Sequence, residues 1–253
     1  MDSSVRATLD QILGQLILAD RASHPAFSKK VLFSGEEMGK VASYVAGWMA
    51  GQGGDVIVLD GANRFDPYTV SSFARKALIP PERLLKRIRI ARAFTCYQMT
   101  TLMGKLISLV GAIHESPLQK PRVIVLGPIT TFLDQDVPER EVRPLFERSL
   151  RKLEGVAAEG IPFFLFQSPT FSGNPPFSKG GVGGLMNPKR EYLSKRLVQF
   201  SDLVWRIEFN GQGVRVVPEK IPKNFFCHPS EPCPELVSRV GSGSPISGIH
   251  PIF

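Results

Sequence analysis

The chain has 253 residues, 43% of them hydrophobic and 21% charged, a globular composition that excludes a disordered, collagenous or coiled-coil chain. No apolar run approaches the ~20 residues of a membrane span, and the opening MDSSVRATLD is too polar for a secretory signal. Thirty-one basic against 23 acidic residues leave a net charge of +8, a tilt toward polyanions such as nucleic acid, and three scattered cysteines imply a reducing cytoplasm rather than a disulfide framework.

Val5, Leu9, Ile12, Leu13, Leu16 and Ile17 recur at helical spacing and predict an amphipathic helix within a leader, residues 1–24. A Pro-containing basic linker leads to the apolar run Val31-Leu32-Phe33, which meets Ser34-Gly35. A helical pattern then runs from Gly39 to about Gly51 and is closed by Gln52-Gly53-Gly54. Val56–Leu59 is a fully apolar strand ending in Asp60. Helical pieces over 68–77 and 81–86 precede a strand over 88–93, a long helix over 97–114 and the apolar strand Val123–Leu126. A charge-rich helix over 139–159 leads to a third apolar strand, Phe163–Phe166, and then to a Gly/Pro/Ser-rich stretch. A helix over 189–200 and a hairpin across Asn210-Gly211 complete the pattern, and the chain from Pro218 reads as an extended tail.

Apolar strands alternating with helices predict an α/β fold, with a mostly parallel sheet covered by helices on both faces and an antiparallel hairpin at one edge. One core domain is expected over 25–226, followed by an extended tail over 227–253.

Ligands of such sheets sit beyond the carboxyl ends of the strands. The first such end carries Gly39-Lys40 between a strand and a helix, where a phosphate-binding loop would stand. The first glycine position of that loop falls on Ser34, with Gly35 one residue too close. The hydroxyl position after the lysine is Val41, which cannot hold a metal, and Glu36 and Glu37 place two negative charges where a triphosphate would lie.

Val58-Leu-Asp-Gly-Ala-Asn-Arg-Phe-Asp-Pro67, followed by Ile90-Ala-Arg-Ala-Phe94 and a helix with Gln98, resembles the ATPase core of the RecA/RadA recombinase family over about residues 27–225. Val123–Leu126, Phe163–Gln167 and Lys179–Gly184 match the metal-aspartate strand, the glutamine-ending strand and the second DNA-binding loop in order. The resemblance implies a RecA-like P-loop fold and a role in DNA recombination or repair. Asp60, Phe65, Pro67, Arg92 and Gln167 keep the family's residues, yet the general-base glutamate falls on Ala62 and the metal aspartate on Gly127. Asp134 and Asp136 lie too far along the chain to replace the latter. With Val41, three parts of the hydrolytic machine are absent, so the expectation is a pseudo-ATPase with no cofactor beyond weakly bound ATP and no catalytic residue. Phe27 is followed three residues later by Lys30 rather than alanine, so the polymerisation element is unmatched.

Expected partners are DNA, single-stranded DNA among its forms, and a recombinase or other repair protein. The expected DNA contacts are Lys179, Lys189 and Arg190 in and after the glycine-rich loop, which also carries Phe171 and Phe177. Residues 75–92 add seven basic residues against one acid, among them Arg83, Lys86 and Arg87. The alternatives are an active ATPase with an atypical site and a protein-docking module without DNA binding. Cys227, His228, Cys233 and His250 fit no tetrahedral zinc pattern, so no metal is expected. His114 reads as structural, and Trp48 and Trp205 as core.

Overall fold

Val56–Leu59, Val123–Leu126 and Phe163–Phe166 have no polar side to show to water, so each must be buried on both faces. A computed structural model of the chain, which describes residues 30–113, 121–161, 163–169, 190–210 and 213–221, places them at the centre of a seven-stranded sheet. The strands are β1 (Lys30–Gly35), β2 (Val56–Asp60), β3 (Ile88–Arg92), β4 (Arg122–Leu126), β5 (Phe163–Gln167), β6 (Leu203–Asn210) and β7 (Gly213–Lys220). Their order is β3-β2-β4-β5-β1-β6-β7, all parallel except the β6–β7 pair. The helices are α1 (Met38–Gly51), α2 (Pro67–Lys76), α3 (Pro81–Leu85), α4 (Cys96–Ile113), α5 (Glu139–Ala158) and α6 (Glu191–Phe200). Contacts divide the chain between Ile221 and Pro222. The expected leader helix and the segment 227–253 lie outside the described residues.

Successive strand residues face opposite sides. Leu32, Ile57, Leu59, Val123, Val125, Phe163 and Leu165 join one core with Met99, Met103, Phe146, Leu150 and Leu197 from α4, α5 and α6. The alternate set includes Phe33, Phe164 and Phe166, whose rings stack, on the side that α1 covers. Between α4 and α5 a buried hydroxyl pair, Thr100 with Ser149 at 2.9 Å, satisfies two polar groups inside that packing.

Local signals set most helix ends. Asp66 accepts from the Tyr68 backbone N–H at 2.9 Å and Pro67 opens α2, an acidic N-cap followed by proline at the first helical position. Thr95 accepts from the Gln98 N–H, and Gln98 reaches back to accept from the Phe94 N–H, which ties the start of α4 in the manner of a capping box. The helix expected from Lys189 begins at Glu191. Pro218, expected to open the tail, sits inside β7 opposite Trp205. A proline is tolerated there because β7 is an edge strand, and the register shift beside Trp205 accommodates it. Trp48 and Trp205 are half-buried rather than fully in the core.

The α2 helix ends in paired closing bonds, Ile79 N–H to the Ala74 carbonyl and Leu78 N–H to the Arg75 carbonyl. This Schellman turn needs a left-handed residue, normally glycine, and here that residue is Leu78 at φ 57°, with 92% of its surface exposed. Its side chain gains little from folding and its backbone is strained. Leu78→Gly is therefore expected to stabilise the fold by about 0.5–1 kcal/mol, after the greater freedom of glycine in the unfolded chain is set against the relieved strain. A shift of the urea midpoint at unchanged slope is the readout.

Candidate functional site

The carboxyl ends of β1, β2, β4 and β5 carry the glycine-lysine turn, Asp60, Gly127 and Gln167. Only Glu36 and Glu37 separate β1 from α1. Glu37 takes a left-handed conformation, φ 56°, and its carbonyl accepts the Lys40 and Val41 N–H groups at 2.9 and 3.1 Å. Its carboxylate pairs with the Lys40 ammonium. That carboxylate raises the Lys40 pKa, first through the hydrogen bond and then through its charge. The pairing therefore holds at neutral pH, and its alkaline limit is reached as pH rises through the lysine's raised pKa.

The first turn of α1 is also covered. A Cβ at Gly39 would lie 2.5 Å from the Arg64 carbonyl oxygen, so the 61–66 loop rests directly on the helix and only glycine fits. Ser43 donates to the Gly39 carbonyl at 2.7 Å and accepts from the Asp66 N–H at 2.8 Å, which fastens the loop to α1. Val41 is fully buried.

Asp60 has no exposed surface and accepts from the backbone N–H groups of Arg64 and Phe65 at 3.2 and 3.0 Å. The Arg92 guanidinium, opposite it on β3, lies 3.8 Å away. Gln167 accepts from the Ile129 N–H at 3.2 Å and donates to the Ser168 carbonyl at 2.9 Å. In this structure both side chains hold loops.

Ala62 and Gly127, far apart in sequence, meet across the ends of β2 and β4. Gly127 has φ 67°, and a Cβ there would stand 2.7 Å from the Ala62 methyl and 2.6 Å from the Thr130 hydroxyl. An aspartate at 127 would thus be both strained and overpacked.

The expected DNA contacts that the structure describes, Arg190 and the group Arg83, Lys86 and Arg87, do not converge. Arg190 is 2% exposed, and its guanidinium donates to the carbonyls of Phe132, Asp134 and Val137 and to the Glu139 carboxylate at 3.2 Å. A cation committed in this way is not available to a phosphate, and this corrects its assignment as a DNA contact. Its surroundings are acidic as well, since residues 134–141 hold four acids and one arginine. Lys179 and Lys189 lie outside the described residues.

The basic segment sits elsewhere. Lys86 and Arg87 lead into the amino end of β3, whereas Gln167 stands at the carboxyl end of β5, and β3 and β5 run parallel through β2 and β4. The two regions are therefore separated by the length of a strand, about 17 Å. Arg87 is partly engaged, 2.7 Å from the Gly53 carbonyl oxygen and 3.5 Å from Asp55. Arg83, Lys86 and Arg89 are exposed and have no acidic partner among the described residues.

No group of three or more metal-binding side chains occurs among the described residues, and no described helix is long and apolar enough to cross a membrane. The one cysteine described, Cys96, is buried, which raises its thiol pKa and keeps it protonated at neutral pH. Compared with known protein families and with curated proteins, the chain matches none.

Two substitutions test this geometry. Gly127→Asp is expected to cost about 2–4 kcal/mol of stability in urea, and to leave Mg²⁺ without effect on the melting temperature. Arg190→Ala is expected to cost about 2–4 kcal/mol, because three carbonyls, two of them buried, lose their donor.

Proposed function

We propose that the protein is a RecA-like domain that has lost ATP hydrolysis and serves in the cytoplasm as a DNA-binding accessory factor in recombination or repair, working beside a recombinase. The order of the motif residues along the chain supports this reading, as do their positions at the ends of neighbouring parallel strands. The observation that carries the loss of hydrolysis is the two-residue turn in which Glu37 neutralises Lys40. A phosphate cradle needs a wide loop of free backbone N–H groups, and phosphoryl transfer depends on positioning and charge neutralisation. Here the loop is short and partly paired, and the positions for base, metal ligand and hydroxyl hold Ala62, Gly127 and Val41.

DNA binding is assigned to Arg83, Lys86 and Arg87, with Arg89 beside them in the sequence. Their exposure and, for most of them, their lack of acidic partners support this choice over Arg190. Contact would be with phosphates, so affinity should fall steeply with salt and vary little with sequence.

The expected outcome in solution is no ATP hydrolysis above background, unaltered by Lys40→Ala, together with DNA binding at low salt. Replacing Arg83, Lys86 and Arg89 together by alanine should lower the slope of log affinity against log salt by about 2. Turnover abolished by Lys40→Ala would overturn the first part, and an unchanged salt slope the second.

A further inference from the structure

Beside α1 and α2 lies a groove of about 250 Å³. Tyr44, Phe73 and Ala77 give it an apolar floor, with the two rings edge to face at 5.3 Å. Lys76 stands on its rim, as does Lys40, whose charge Glu37 already pairs, and no acidic residue lines it. Lys76 and the preceding Arg75 are exposed and have no acidic partner among the described residues. Immediately after Ala77, the strained Leu78 holds its side chain in water.

We propose that this groove docks an acidic amphipathic segment of another protein, with apolar side chains on the Tyr44–Phe73 floor and against Leu78, and carboxylates toward Lys76 and Arg75. Charge complementarity selects the sign of the partner. The floor selects its apolar half: a bare polyanion would meet the cations but leave Tyr44, Phe73 and Leu78 without contact. The volume lies below the ~300 Å³ at which pockets for free small ligands begin, and it suits an anchoring side chain from a longer segment. Helix-in-groove recognition uses the same combination of apolar anchors at i, i+3, i+4 and i+7 with a charged flank. A leucine where glycine would relieve strain fits a side chain whose use lies outside its own fold. The inference stands apart from DNA binding, which was assigned to Arg83, Lys86 and Arg87.

The test is a library of labelled peptides of about 15 residues, with leucine or phenylalanine at helical anchor spacing and aspartate or glutamate elsewhere, titrated against the full chain by fluorescence anisotropy. Members of this library should bind, whereas lysine counterparts of the binders and poly-glutamate should not. Lys76→Glu and the groove-filling Ser72→Trp should each weaken the tightest binder by about tenfold or more, equivalent to ~1.4 kcal/mol. Leu78→Gly should weaken it while raising the melting temperature, which separates lost contact from lost fold. A single-stranded oligonucleotide should not displace the peptide. The proposal is overturned if no library member binds, if poly-glutamate binds as tightly, if the oligonucleotide displaces the peptide, or if Lys76→Glu and Ser72→Trp, both folded, leave affinity unchanged.

Discussion

A carboxylate with no exposed surface stands at the end of β2, and the carboxyl edge of the sheet is arranged around it. An unpaired charge in such a place would cost several kcal/mol, so its partners must be held in position. Asp60 finds two of them in the backbone of the loop that follows it and a third in Arg92 on the neighbouring strand. The loop so fixed lies on Gly39, hands Asp66 to Ser43 and starts α2. One buried charge thereby sets the path of the 61–66 loop, the entry of α2 and, through α2, one wall of the groove beside α1.

The same arrangement crowds the start of α1. The Glu37–Lys40 pair is half-exposed and contributes little energy, about 0.2–1 kcal/mol, so it does not by itself exclude a ligand. The crowding is geometric. The turn has two residues, the Glu37 carbonyl already takes two of the N–H groups at the helix start, and the Arg64 backbone covers the first turn. At the next crevice, Ala62 fills the space into which a side chain at 127 would project. Backbone and side-chain features point the same way, and no single substitution removes them all.

Charge is divided between the two ends of the strands. Acids over 134–141 surround Arg190, whose charge is spent on carbonyls that shape the segment after β4. Near the amino ends, Arg83 and Lys86 extend into water, and Arg75 and Lys76 do so at the end of α2. The arginines near the last turn of α2 and in β3 also have local uses, since cations favour a helix C-terminus and charged side chains blunt an edge strand. Such uses are compatible with binding an external anion, because most of these groups keep their heads in water.

Much of the fold was legible in the sequence because its signals are local. Apolar runs of four residues marked the buried strands, and Asn210-Gly211 marked the hairpin. The absence of a hydroxyl at Val41 and of carboxylates at Ala62 and Gly127 is a property of the sequence alone. What the tertiary structure decided is where each charge ends up. Arg190 and Arg83 are alike as letters, yet one is enclosed by carbonyls from residues more than fifty positions away and the other faces solvent. Pro218 reads as the start of a tail until an edge strand gives it a partner on one side only. Long-range pairing and burial are set by contacts between distant segments, and a local pattern does not encode them.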